Sequence, residues 1–385
     1  MNRPLLLAEI QLALKVHPIC ALLGPRQAGK TTLAHMYADK YYLLNAHFFD
    51  MEKPSDVARL DNPLLAFSQV AQQLIIIDEV QLRPNLFPIL RVIVDDPKNT
   101  HKFLVLGSAS RDLIRQSSES LAGRIGYIDV MPFSLEETHD SKTLWTRGGF
   151  PKSYLADTIN ESVNWRQNYI KTFLEQDIPN LGFRIPPQQL RRFWLMIAHY
   201  HGQILNTSEL GRSMGVTHHT IRKYIDILAG TFMLRILEPW FENLIKRQVK
   251  APKIYFRDSG ILHTLLNIHD EEQLYSNPKV GASWEGFALE ETINYVHGSD
   301  AECFFWSTQS RAELDLFVTR KGKRIGFEFK YMDNPKITKS IRIAMSDLQL
   351  DHVYIVNPGN ATYLLDDKIS VCGLDALASI KPSTG

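Results

Sequence analysis

Leu22-Leu23-Gly24-Pro25-Arg26-Gln27-Ala28-Gly29-Lys30-Thr31-Thr32-Leu33 is the stretch on which the reading of this chain turns. Two glycines bracket four residues and are followed directly by Lys and Thr, the phosphate-loop pattern. Gly24 and Gly29 permit a turn tight enough for successive N–H groups to point at phosphate oxygens, and a helix opening near Lys30 adds its positive end. Lys30 then neutralises the β- and γ-phosphates while the Thr31 hydroxyl ligates Mg²⁺. The nucleotide-binding set is Gly24, Pro25, Arg26, Gln27, Ala28, Gly29, Lys30, Thr31 and Thr32. The flanks agree: Ile19-Cys20-Ala21-Leu22-Leu23 reads as a buried strand, and Thr32 to Tyr37 as a helix. A strand-to-helix turn that binds nothing is the alternative, but it needs neither Lys30 nor Thr31.

Working outward, Leu74-Ile75-Ile76-Ile77 ends in Asp78 and Glu79. A buried parallel strand brings Asp78 to its C-terminal edge to hold the Mg²⁺ water shell, and Glu79 beside it polarises the attacking water. An acidic cap for the next helix is the plainer reading, and the phosphate loop outweighs it. His47 to Met51 is a further strand, residues 64–73 are helical, and His101 to Ser108 is a strand ending in a hydroxyl suited to sensing the γ-phosphate or orienting water. Of the two arginines that follow, Arg111 reads as a surface residue. Arg124, in Ser120-Leu121-Ala122-Gly123-Arg124, is the functional candidate, in the same subunit or across an interface. Before Cys20, an amphipathic helix carries Leu6, Ile10, Leu14 and Val16 on one side. The guanine-reading Asn-Lys-x-Asp motif is missing, which argues against a GTPase.

Taken together, Gly24 to Thr31, Asp78-Glu79-Val80-Gln81, Gly107-Ser108, Leu121 to Arg124 and Pro132-Phe133-Ser134-Leu135-Glu136-Glu137 resemble the prokaryotic AAA-type ATPases that carry a C-terminal domain of unknown function. The resemblance runs along essentially the whole chain and implies ATP and Mg²⁺ as cofactors and a homo-oligomeric ring or transient assembly.

At 385 residues the chain is long enough for two or three domains, and 44% apolar content supports packed cores throughout. A net charge of +1 points to neither nucleic acid nor membrane globally, so such roles need local patches. Cys20, Cys303 and Cys372 suggest neither a disulfide framework nor a thiolate metal site. With no apolar run long enough to span a bilayer, the expected compartment is the cytoplasm, with no membrane partner.

Gly148-Gly149-Phe150-Pro151 marks a boundary, followed by long helices from Glu161 to Asp177. Asp177 itself reads as a helix-terminal contact. Between Leu205 and Leu228 lies a helix-turn-helix pattern: Asn206 or Thr207 caps a first helix, Gly215 turns, and Thr217 caps a second. In the second helix Ile221, Tyr224, Ile225 and Leu228 recur at core spacing, leaving His218, His219, Arg222 and Lys223 outward. From Leu181 to Lys250 there are ten Lys or Arg and four Asp or Glu, a local charge of +6. This basic winged-helix pattern makes duplex DNA a candidate partner, against the alternative of a protein-packing unit.

In the last third, Trp284 to Glu290 reads as a helix with Glu285 near its start, and Phe304 to Ser307, Glu313 to Val318 and Ile325 to Lys330 as strands. Alternation puts Glu328 and Lys330 on one face and Phe327 and Phe329 on the other. A hairpin would bring Asp315 to Glu328 and Lys330, where two carboxylates bind Mg²⁺ and Lys330 stabilises an attacking hydroxide or phosphate oxygen. The plainer reading is a solvated face with a salt-bridge ladder. The order resembles the restriction-endonuclease-like nucleases, with Asp315, Glu328 and Lys330 as their Asp and Glu-x-Lys, Glu285 as their helical acid, and Leu314 in place of a frequent Pro. That resemblance implies catalytic roles for Asp315, Glu328 and Lys330 and metal ligation by Glu285, Asp315 and Glu328.

The expected architecture is therefore α/β: an AAA-type P-loop parallel-sheet ATPase domain over 1–147, a helical and winged-helix domain over 148–250, and a restriction-endonuclease-like α/β domain over 251–385. Lys30, Glu79, Ser108 and Arg124 form the expected ATPase centre, with Thr31 and Asp78 on the metal. The expected function is an ATPase whose nucleotide state controls a DNA-associated, nuclease-like C-terminal domain. The alternative is a nucleotide-switched interaction protein whose C-terminal domain binds a partner or nucleic acid without catalysis.

Overall fold

Five short apolar runs build the first sheet: β1 Ile19–Leu23, β2 Ala46–Asp50, β3 Leu74–Asp78, β4 Lys102–Gly107 and β5 Ile125–Asp129. All pair in parallel, in the order β2-β3-β4-β1-β5. A parallel sheet is covered on both faces, so its strands need no polar side. Accordingly Ile19, Ala21, Leu23, Ile75 and Ile77 enter one core, while Cys20, Leu22, Leu74 and Ile76 enter another. Each buried Ile or Leu among them contributes roughly 1.5–3 kcal/mol.

The computed structural model describes residues 2–43, 45–109, 121–241, 248–310 and 312–379. Arg111 lies outside the described residues, as does Ser120. The chain divides into two compact units: Met1–Pro132 with Thr172–Ile185 and Gly230–Met233, and Phe133–Lys171 with Pro186–Ala229 and Leu234–Gly385.

In the first unit the N-terminal helix, Pro4–Val16, buries Leu7, Ile10 and Leu14. Leu7 rather than Leu6 completes the inward stripe, and Val16, on the last turn, is exposed. The helical stretch expected over 64–73 is shorter, Pro63–Ser68, because Asn62 caps it and β3 begins at Leu74. The helix after the phosphate loop spans Lys30–Tyr42.

The second unit opens its middle part with a helix, Pro187–His199, followed by β6 Gln203–Ile204, helices Thr207–Met214 and His218–Gly230, then β7 Leu234–Leu237 and β8 Lys253–Phe256. These strands form an antiparallel sheet ordered β6-β8-β7. The Asn206 carboxamide accepts the Glu209 N–H, Gly215 is left-handed at φ 70°, and Thr217 Oγ1 accepts the Thr220 N–H. Ile221, Tyr224, Ile225 and Leu228 are buried while His218, His219, Arg222 and Lys223 are exposed. The basic count over 181–250 nonetheless overstates the surface charge. Arg235 is buried against Glu290, with Nε–Oε1 2.5 Å and Nη2–Oε2 3.0 Å, and residues 242–247 lie outside the described ones.

The larger sheet of this unit has β9 Cys303–Ser307, β10 Glu313–Arg320, β11 Lys323–Phe329, β12 His352–Asn357, β13 Thr362–Asp366 and β14 Ile369–Gly373, ordered β13-β14-β12-β11-β10-β9. β10 and β11 form a tight hairpin whose turn, Lys321-Gly322, has both residues at positive φ (50° and 77°), the twist two-residue hairpins favour. A helix, Val280–Tyr295, packs with Phe305, Leu316, Phe327 and Phe329 in one core. The three cysteines are buried and unbridged. No helix among the described residues is long and apolar enough to cross a membrane.

Candidate functional site

In the first unit the parallel register brings four segments to one sheet edge. Leu23 is level with Gly107, and Asp50 with Asp78, so the loops leaving β1, β2, β3 and β4 all emerge together at the C-terminal ends of the strands. That edge is where open α/β sheets bind ligands. The loop backbone must come close to its neighbour here: a Cβ on Gly24 would sit 2.0 Å from the Val130 carbonyl oxygen. Gly29 takes φ 93°, which a side chain would strain, and no side chain caps the helix it precedes. Its first N–H groups therefore have no side-chain acceptor, as an anion seat requires.

Lys30 is buried, and Nζ donates to the carbonyls of Gly24 at 2.9 Å and Pro25 at 2.8 Å, with Ser108 Oγ at 3.4 Å. Burial lowers its pKa to about 8 despite the pull of Glu79 and Asp78 in the other direction. Thr31 Oγ1 donates to Asp78 Oδ2 at 2.6 Å, and burial raises the Asp78 carboxyl above its ordinary range. Ser108 Oγ donates to Glu79, 3.1 Å from Oε1 and 3.0 Å from Oε2. Gln81 Nε2 donates to Glu79 Oε2, and its Oε1 accepts the Ser108 N–H at 3.3 Å. Glu79 has φ 52°, a left-handed conformation that costs a non-glycine residue of order 1 kcal/mol and is typical of functional turns. Thr31 and Asp78 offer a hydroxyl and a carboxylate side by side, the hard oxygen donors that suit Mg²⁺.

Two expected roles change with the coordinates. Arg124 precedes β5, whose Ile125 is level with Ile19, so it sits at the N-terminal end of the sheet, a strand length of roughly 13 Å from the phosphate loop. There it grips Asp95 with Nε–Oδ1 2.5 Å and Nη2–Oδ2 3.0 Å, which rules out a role at the loop of its own chain. Asp177 makes no capping bond; its Oδ1 accepts from Arg26 Nη1 instead, and Arg26 Nη2 reaches Glu52 Oε1 at 2.6 Å. Arg26, Glu79, Ser108 and Asp177 line one cleft. Sequence reading missed Asp177 and Gln81, though Gln81 stands within the quoted acidic motif.

In the second unit the hairpin gathers Asp315, Glu328 and Lys330. Lys330 Nζ is 3.0 Å from Glu328 Oε1 and 3.9 Å from Asp315 Oδ2, which also accepts the Phe329 N–H at 3.1 Å. Glu285 lies within the helix Val280–Tyr295 rather than near its start, close enough that Asp315 adds to the burial that pushes its carboxyl up to about 7. Burial and Asp315 likewise raise Glu328 to about 8. The unforeseen member is Lys253 on β8: its buried ammonium pairs with Glu313 and lies 3.5 Å from Asp315 Oδ1. Among the described residues no three His, Cys, Asp or Glu side chains are grouped to hold a metal ion.

Comparison with known proteins agrees with the first centre. Residues 16–139 match the family described as AAA domain, residues 138–272 a domain of unknown function (DUF8612), and residues 280–377 another (DUF4143). An uncharacterized protein of Mycobacterium tuberculosis, Rv2008c, is 45% identical over 372 residues, covering 96% of this chain and 83% of its own. Its counterpart in Mycobacterium bovis, Mb2031c, matches to the same extent. The chain belongs to the family of these proteins. Its phosphate-loop region is a P-loop AAA ATPase domain, which supports ATP binding and hydrolysis and implies nucleotide with, typically, Mg²⁺. Among solved structures, the Walker-type ATPase PABY2304 of Pyrococcus abyssi is 13% identical with a TM-score of 0.47, over 69% of this chain and 95% of that one. A RuvB variant of Thermotoga maritima is 19% identical at 0.33, over 61% and 90%. Neither likeness is close enough to bear on function.

Proposed function

We propose that the protein is an ATP-hydrolysing switch whose second unit engages duplex DNA. The observation that carries the ATPase reading is the pairing of Thr31 with Asp78 and of Ser108 with Glu79 around Lys30 at one sheet edge. On this reading the phosphates displace the Gly24 and Pro25 carbonyls as partners of Lys30, and the negative charge restores the full basicity that burial removes. Glu79, held by Ser108 and Gln81, accepts a proton from the water whose oxygen bonds to the γ-phosphorus as the bond to ADP breaks. Thr31 and Asp78 would hold Mg²⁺, which supplies charge neutralisation on the phosphates.

For the second unit, two capped helices flanked in sequence by the strands of the antiparallel β6-β8-β7 sheet support a winged-helix reading, with Arg222 and Lys223 as phosphate contacts. Lys253 favours the binding-only alternative over cleavage in the C-terminal region, because it already pairs with Asp315, one of the carboxylates a metal would need. On this reading the restriction-endonuclease-like resemblance extends to the arrangement of groups and stops short of cutting.

The test is phosphate release from ATP with Mg²⁺, titrated with duplex DNA, alongside cleavage assays with Mg²⁺ or Mn²⁺. ATP turnover with DNA bound but uncut is expected. Arg222→Ala/Lys223→Ala should weaken DNA binding and reduce its salt slope by about 2. Absence of turnover defeats the ATPase reading, unchanged DNA binding defeats the duplex contact, and metal-dependent cuts defeat the binding-only reading.

A further inference from the structure

The phosphate loop carries a cation that the reaction scheme above does not use. Arg26 lies between Gly24 and Gly29, in the part of the loop whose N–H groups turn toward phosphate. Its guanidinium bounds the cleft that Glu79 and Ser108 also line, where the attacking water would stand. Arg124 is at the N-terminal end of the sheet, and Lys30 serves the phosphates as a point charge without the planar fork of a guanidinium. Arg26 is thus the guanidinium positioned for the terminal phosphate.

It is also restrained. One arm holds Asp177 and the other Glu52, so two carboxylates from separate segments compete with any phosphate for the same group. The Asp177 side chain is only 10% exposed. Burial pushes its carboxyl upward and Arg26 pulls it back, so this carboxylate is poorly solvated once Arg26 leaves. Asp177 ends a single π-helical turn, Phe173–Asp177, an irregularity that recurs at functional sites. The segment that holds it, Thr172–Ile185, is part of the same unit as the loop, although the chain leaves that unit on either side of it.

We propose that Arg26 reads the γ-phosphate and that Asp177 holds it in reserve, so that triphosphate and diphosphate differ in whether the Arg26–Asp177 pair opens. The inference rests on the ATP-binding reading. A terminal phosphate adds up to two negative charges and a pair of oxygens for bidentate guanidinium contact, whereas Asp177 and Glu52 each hold Arg26 through a single nitrogen–oxygen contact. ADP ends at the β-phosphate, already served by Lys30 and the loop, and leaves the pair intact. Opening the pair deprives Asp177 of its counter-ion and loosens the turn 173–177, which turns the identity of the nucleotide into a change in the chain where it enters the unit.

Isothermal titration calorimetry of the full chain with Mg²⁺ and either the non-hydrolysable analogue AMPPNP or ADP tests this. Asp177→Asn should tighten AMPPNP about tenfold and leave ADP within twofold, since it removes the competitor for Arg26. Arg26→Ala should weaken AMPPNP by a similar factor and ADP by clearly less. Asp177→Glu, which keeps the charge, should behave as the unaltered protein. Equal effects on both nucleotides, or none, overturn the proposal while leaving ATP binding intact. Failure of the unaltered protein to bind either nucleotide, or binding by Lys30→Ala at full strength, overturns the underlying reading and this inference with it.

Discussion

At the phosphate loop the Lys30 ammonium rests on two neutral carbonyl oxygens, and the nearby carboxylates Asp78 and Glu79 are held by hydroxyls and an amide. At the β10–β11 hairpin the Lys330 ammonium lies against Glu328, and Lys253 against Glu313 and Asp315. Both places set lysine among acids beside a strand, yet among the described residues only the first holds its lysine on neutral atoms. A charged group kept on neutral partners is ready for a charged ligand, because binding replaces weak bonds by strong ones. A charge already matched by its neighbour has less to gain, and inserting a ligand first exposes the cost of separating the pair.

The sharpest way to break this contrast is to remove the lysine of the first centre. Lys30→Ala should lower ATP hydrolysis by about 1,000-fold, measured as phosphate release, since the charge acts on the reacting phosphates. A loss below tenfold would place Lys30 among structural residues. Glu79→Gln should lower turnover by about 100-fold while calorimetry still registers ATP binding, because the amide cannot take the water proton. If binding falls with turnover, Glu79 holds the loop rather than the water.

For the second centre the expected loss is one of stability. Lys253→Met should destabilise the fold by about 2 kcal/mol in urea denaturation, less than a fully buried pair would, because the Glu313 side chain is 38% exposed. A neutral outcome would mean that this ammonium is not compensating the acids. The smallest effect concerns Glu291, whose carboxylate accepts the Leu135 N–H at 2.7 Å. Burial pushes its pKa from 4.5 up to about 8. Between those values the folded protein binds a proton that the unfolded chain has released, so stability falls as pH rises through the window. Glu291→Gln should flatten that fall and gain on the order of 1 kcal/mol near pH 8, read from thermal melts at pH 5 and pH 8. A steeper fall would reverse the assignment.

Much of the first centre was legible because its residues are bound to strand ends within short sequence distances. Continuous apolar runs marked β1 and β3, and the glycine pattern marked the loop between strand and helix. The place of Arg124 was not legible for want of direction: a motif gives no indication of which end of a parallel strand it adjoins, and the register of β5 with β1 does. Asp177 and Lys253 were not legible because each meets partners that are 151 and 60 residues away. Nothing in local periodicity signals such meetings. The hairpin could be read from its turn residues and alternation, but the cation that neutralises it arrives from β8.

The phosphate-loop unit is assembled from three separate stretches, and Phe232, from the shortest of them, packs in its core with Phe103 and Phe67. A gene cut after residue 132 would therefore yield a fragment with a hole in its interior and Arg26 stripped of Asp177. Evolution cannot readily lend this ATPase module to another polypeptide, and a laboratory that wants its isolated activity must carry the rest of the chain along.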